Sequence, residues 1–104
     1  TGKPAVKSAK VSRQGTKRKV TVKFTVPKAC DGTDWVLAKK VSQSEDGSYT
    51  YVSGYAYTKK NQTKTTVIFK NVKPGVYYLT GRAYVKGYAK NYTKWSEVKK
   101  VVVK

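Results

Sequence analysis

The residue types that do most enzyme chemistry are scarce in this chain. It has no histidine, one cysteine (Cys30) and five acidic residues scattered over 104 positions. No Ser, Thr or Cys has a base partner in a recognisable arrangement, so neither general acid–base nor nucleophilic catalysis is supported. No Cys or His cluster has zinc-ligand spacing, and a lone Cys30 forms no internal disulfide. Asp31 and Asp34 are close in sequence, but they stand beside Lys28 in a strongly positive chain and are poor candidates for calcium; capping a loop or pairing with lysine is the expected role. No glycine run opens a helix to cradle phosphate. The expectation is a protein without catalytic residues, cofactor or metal.

Lysine and tyrosine remain. Twenty lysines, three arginines and nine tyrosines give a formal charge of +18, which favours polyanionic partners and opposes self-association. Lysine is a movable point charge, whereas arginine's planar fork suits base edges, so the lysine bias argues against a sequence-specific nucleic-acid reader and leaves nucleic acid a disfavoured partner. Lysines pair with carboxylates or sulfates while tyrosine rings pack on sugars and donate hydrogen bonds. An acidic polysaccharide uses both. The plainer role for the same residues is solubility, edge protection and cover for a core.

Whether these side chains meet depends on the elements that carry them. At 104 residues the chain is read as one domain, 1–104, with 1–3 as linker, lying within a larger chain; no internal repeat is visible, and no apolar run approaches a membrane span. Residues 19–26 alternate cleanly, with Val20, Val22, Phe24 and Val26 inward and Thr21, Lys23 and Thr25 outward. Strands are also expected at 5–11, after Pro4, and at 34–41, with Trp35 and Leu37 facing the core. Asp46-Gly47 supplies a hairpin turn into a strand at 49–57, where a period of two sets Tyr49, Tyr51, Tyr55 and Tyr57 on one face, either packed against neighbours or offered as a platform. Further strands follow at 65–70 and 95–103. Between them, Pro74 and Gly75 turn the chain into a long strand with Tyr77, Leu79, Gly81, Ala83 and Val85 on one face and Tyr78, Thr80, Arg82, Tyr84 and Lys86 on the other. No segment has a helical period. Seven strands and polar turns predict an all-β, antiparallel, immunoglobulin-like sandwich.

The stretch carrying Val72, Pro74, Gly75, Tyr77, Arg82, Ala83 and Tyr84 resembles the E–F corner and strand F of fibronectin type III modules. Phe24 before Pro27, Trp35, and Trp95-Ser96 before a Val-rich tail extend the likeness over nearly the whole chain. The resemblance implies sheets A-B-E and C′-C-F-G, and a structural Tyr77 whose hydroxyl turns back to the upstream backbone, with Tyr78 as the substitute that a short corner allows. The corner is one residue short of the usual pattern. Gly81 stands where the family has a β-branched residue, and Trp35 is the candidate to fill that space from across the sandwich. The likeness is to modules of bacterial surface proteins and carbohydrate-active enzymes, implying an extracellular setting, either secreted or cell-surface.

With alternating connections, loops 27–33, 58–64 and 87–94 share one end and loops 12–18, 42–48 and 71–75 the other. The first end is expected to gather Lys28, Lys59, Lys60, Lys64, Lys90 and Lys94 with Tyr57, Tyr88 and Tyr92. The outer face of strand F offers a second surface, Tyr78, Arg82, Tyr84 and Lys86, with Lys40 and Lys100 beside it. The leading expectation is a monomeric, non-catalytic carbohydrate-binding module that holds an attached enzyme on an anionic polysaccharide, with pectin (homogalacturonan) as the favoured ligand. A spacer or adhesin module is the alternative, and nucleic-acid binding ranks third.

Overall fold

The computed structural model describes residues 3–48, 50–87 and 90–104; at Gln14 the description is confined to the backbone. Among the described residues eight strands form in chain order: β1 Ala5–Gln14, β2 Lys17–Thr25, β3 Gly32–Gln43, β4 Thr50–Gln62, β5 Thr66–Val72, β6 Gly75–Val85, β7 Asn91–Tyr92 and β8 Lys99–Val103. All pairings are antiparallel. They make two sheets, one ordered β1-β2-β5, the other ordered β4-β3-β6-β7 with β8 also paired to β6. The expected all-β, two-sheet architecture and strand order are present, with eight strands instead of seven.

The additional strand comes from an interruption in the last one. Between β7 and β8 the chain keeps to the side of β6, but side chains take over part of the ladder: Ala83 N donates to Thr93 Oγ1 and Gly81 N to Ser96 Oγ, both at 3.0 Å. Thr93 N returns a bond to Ala83 O at 2.9 Å and Ser96 N one to Gly81 O at 2.6 Å. The hydroxyls satisfy backbone groups that regular pairing would have used.

The two sheets face each other across one apolar layer. Val20, Val22, Phe24, Val67, Phe69 and Val72 of the first sheet meet Trp35, Leu37, Tyr77, Leu79, Val101 and Val103 of the second. Phe24 and Trp35 lie across the layer with ring centroids 4.6 Å apart. Trp35 is directly opposite Gly81 on the adjacent strand, and a Cβ at Gly81 would overlap the indole. The space left by Gly81 is therefore filled by Trp35, as anticipated, but from the neighbouring strand of the same sheet and not from across the sandwich. Trp35 Nε1 donates to Thr33 Oγ1 at 3.0 Å, so the buried indole keeps a partner.

At the β5–β6 corner, Tyr77 Oη donates to Lys73 O at 2.6 Å. Tyr57 Oη accepts from Lys73 N at 2.9 Å, and the two tyrosine rings meet edge to face at 5.7 Å. Tyr77 is thus structural, as its resemblance implied. Gly75 enters β6 with a φ of 156°.

The expectation for the tyrosines of β4 needs a correction. Leu37 of β3 opposes Tyr57, but Ala38 opposes Tyr55, leaving Ala56 as an extra residue on β4. One extra residue reverses the faces on either side of it. Tyr51 and Tyr55 point away from the core, while Tyr57 packs against it. Tyr49 lies outside the described residues.

Candidate ligand-binding groove

The outer face of the second sheet is less open than strand periodicity suggests. Val36, Ala38, Thr80 and Tyr84 point outward and are all buried. Tyr84 had been expected as part of a ligand surface. Its ring instead lies over Gly32, the residue opposite it on β3, with Lys90 Nζ 4.5 Å from the ring centroid and the Tyr92 ring packed edge to face at 6.3 Å. Its 1% exposure leaves no face for a ligand. Burial, aided by the negative charges of Asp34 and Asp31, raises the Tyr84 hydroxyl pKa.

Arg82 is similarly occupied. Its guanidinium carbon lies 3.7 Å from the Tyr92 ring centroid and 4.6 Å from that of Trp95, a cation held between two aromatic faces. Asp34 approaches from behind, with Oδ2 3.9 Å from Arg82 Nε, the one ion pair among the described residues. Asp34 also accepts from Asn61 N at 3.0 Å. The arginine predicted to meet a ligand is thus a strut that fastens the β7–β8 segment to β6, and Tyr92 shares that work.

The lysines divide between regions. The connections bearing Lys28, Lys64 and Lys90 share one end of the sheets, and Lys86, expected on the outer face of the strand before it, stands just past the end of β6 at that same end. Asp31 steadies that end: its N donates to Tyr84 O and its Oδ2 accepts from Lys86 N. Lys90 Nζ donates to Asn61 Oδ1 at 2.6 Å. Lys59 and Lys60 lie along β4, with Lys59 opposite Trp35. Lys94 leaves the predicted cluster because it follows Thr93 along the edge of β6. Tyr57 leaves it too, turned inward toward the opposite end by its bond to Lys73. Lys40 sits across from Ser53 towards the far end of the outer face, where Tyr78 is half-buried opposite Ala38 and Lys100 lies opposite Tyr78. Tyr88 lies outside the described residues.

One concave feature that results among the described residues is a groove of about 810 Å³ between the β3–β4 hairpin and the Lys94–Val98 segment. Tyr51 and Tyr55 line one side and are 46% and 55% exposed; Trp95 and Lys94 line the other. Thr80 and Ser96 supply a polar floor, fixed by Thr80 Oγ1 donating to Ser96 O at 2.8 Å. Lys3 adds a second cation, and Glu97 the groove's carboxylate. The lining pairs flat apolar rings with mobile cations and hydroxyls.

Trp95 was absent from the predicted ligand surfaces, and Tyr51 and Tyr55 entered only as members of a tyrosine row read either as packing or as a platform. Sequence displayed the tyrosines as an alternating row and Trp95 as a strand signature. The extra residue in β4 and the break before β8, which turn them toward each other, had no clear marker beyond Gly54, whose φ is 68°.

No family model matches the chain, and no curated protein matches it in sequence. Among the described residues, no group of three or more His, Cys, Asp or Glu side chains is placed to hold a metal ion, and no helix is long and apolar enough to cross a membrane.

Proposed function

We propose that this chain is a non-catalytic, fibronectin type III-like module that binds an acidic polysaccharide, homogalacturonan being the leading ligand, and holds an attached enzyme on it outside the cell. The fibronectin-like reading is supported by the sheet orders β1-β2-β5 and β4-β3-β6-β7/β8 and by the Tyr77–Lys73 corner. The observation that carries the binding reading is the groove in which Tyr51 and Tyr55 face Trp95 and Lys94. Sugar rings pack on the aromatic faces, and Lys94 and Lys3 neutralise carboxylates carried along the polymer.

Affinity electrophoresis and calorimetry against polygalacturonate, a neutral β-glucan and heavily methyl-esterified pectin test this reading. Binding is expected for polygalacturonate and is expected to weaken as carboxylates are esterified. Tyr55→Ala and Lys94→Ala should each lower affinity about tenfold, whereas Lys28→Ala at the end of the sheets should have little effect. Equal binding to all three polymers removes the carboxylate mechanism.

The internal use of Arg82, Tyr84 and Tyr57 favours a second reading, a rigid spacer or adhesin segment whose basic surface rests on anionic wall polymer without a defined site. In that case Lys94→Ala and Lys28→Ala lower binding equally.

A further inference from the structure

The groove lies on the second sheet, but the charge is most one-sided on the first. β1, β2 and β5 contain eight Lys and Arg residues and no Asp or Glu. All five acids lie elsewhere: Asp31 and Asp34 around the start of β3, Glu45 and Asp46 in the β3–β4 turn, and Glu97 before β8.

Register places four of these cations on one plane. Val20, Val22 and Phe24 of β2 face the core, so Lys19, Thr21 and Lys23 face out. Lys10 of β1 is opposite Thr21, with Ser8 opposite Lys23 and Ser12 opposite Lys19. On β5, Thr66 is opposite Lys23 and Ile68 opposite Thr21; past the inward Phe69 the register shifts by one residue, so that Lys70 and Asn71, both exposed, stand together against Lys19. Strand spacing sets the steps Lys23 to Lys10 and Lys10 to Lys19 at roughly 8 Å each, and Lys70 lies across the bulge from Lys19. Around the lysines are Ser8, Ser12, Thr21 and Thr66; no aromatic residue is on this face. Arg13 and Arg18 oppose each other directly in the same sheet, a like-charge pairing that costs stability.

We propose that this acid-free face is a second, independent binding surface, and that its partner is a linear polyol-phosphate polymer. Lysine ammoniums serve phosphates as point charges that adjust to a flexible chain, and serine and threonine hydroxyls donate to the remaining phosphate oxygens. The face offers no aromatic ring on which a sugar could pack, which separates its ligand from that of the groove. It also has no aromatic platform on which bases could stack, which separates the ligand from single-stranded nucleic acid. Flexible phosphodiester chains can follow a flat, twisted sheet, gaining affinity from counterion release.

The test measures binding of the complete chain to synthetic poly(glycerol phosphate), with polygalacturonate and oligo(dT) as comparators, at low and moderate salt. The variant K10Q/K19Q/K23Q/K70Q is set against K59Q/K60Q/K64Q/K90Q, which removes the same charge elsewhere. The first variant is expected to lose at least tenfold in affinity for poly(glycerol phosphate) and to flatten its salt slope by about 3, at ~0.7 per neutralised phosphate. The second should lose less than threefold, and polygalacturonate binding should be unchanged in the first. Ile68→Glu, which puts one carboxylate at the centre of the face, is expected to reproduce the loss and serves if the quadruple variant does not fold. Equal losses in the two quadruple variants, full binding by Ile68→Glu, or tighter binding of oligo(dT) than of poly(glycerol phosphate) overturns the proposal. Failure of the groove reading would appear separately, as loss of polygalacturonate discrimination with poly(glycerol phosphate) binding intact.

Discussion

Tyr77 fastens the β5–β6 corner through a single hydroxyl, and that bond sets two measurable consequences. Tyr77→Phe keeps the ring in the core but removes the donor to Lys73 O, so a loss of about 1–2 kcal/mol is expected in urea unfolding. Burial, with the neighbouring Tyr57 hydroxyl adding to it, pushes the Tyr77 pKa up to about 12 from 10.0. Because the folded pKa is the higher one, the stability held in the neutral hydroxyl is complete below the unfolded pKa of about 10 and is lost as pH rises towards 12. Alkaline unfolding followed by tryptophan fluorescence should therefore begin above pH 10 and lose its Tyr77-dependent part in the Phe variant. Asp46 provides the acidic counterpart. Hydrogen bonds, first from the Ser48 hydroxyl and then from its N–H and from Ser44, hold its pKa down to about 2. A carboxyl-detected NMR titration should place the Asp46 midpoint at about 2, below the ordinary aspartate value of 3.8. Gly81 is limited by space: Gly81→Ala drives a methyl group into Trp35 and should cost about 1–3 kcal/mol, part of which the smaller ring of Trp35→Phe should restore.

Among the elements, β4 and the β7–β8 segment decide whether the chain has a groove. The extra residue Ala56 sends Tyr55 outward and Tyr57 inward, and Gly54, just before it, takes a left-handed φ of 68° that β-branched residues resist. Gly54→Val is expected to cost about 1–2 kcal/mol and to weaken polygalacturonate binding along with it, read by thermal melting and calorimetry on one sample. On the facing wall, Arg82 between Tyr92 and Trp95 fixes the segment that presents Lys94. The all-β class was legible in the sequence because clean alternation in β2 and the Pro74-Gly75 corner are local signals, whereas the sheet order came only as an implication of the fibronectin type III resemblance. The groove was not, because an extra residue in β4 shows in sequence only as one glycine among several. Tyr84 was misread for a related reason: alternation gives a side chain's direction, but only the opposing Gly32 reveals that its ring can lie flat and become buried.

Taken as a whole molecule, a charge of +18 with one ion pair among the described residues is a store of self-repulsion. Raising salt from about 10 to about 150 mM shortens the Debye length from about 30 to about 8 Å, so the melting temperature is expected to rise over this interval. A flat or falling melting temperature would mean that the cations stand far enough apart in the folded chain for their repulsion to cost it little stability.

Sequence by itself determined the charge, the scarcity of catalytic groups and the alternation that makes two antiparallel sheets, since each is a property of residue type or of near neighbours. The role of Tyr77 was only implied by resemblance, with Tyr78 as the substitute; the bond from Tyr77 Oη to Lys73 O is what the structure adds. Tertiary structure decided which lysines and aromatics meet. Tyr55 and Trp95 are 40 positions apart, and they share a groove because register, an inserted residue and an interrupted edge strand bring them there. Those long-range pairings are fixed by packing across strands, which no local pattern records.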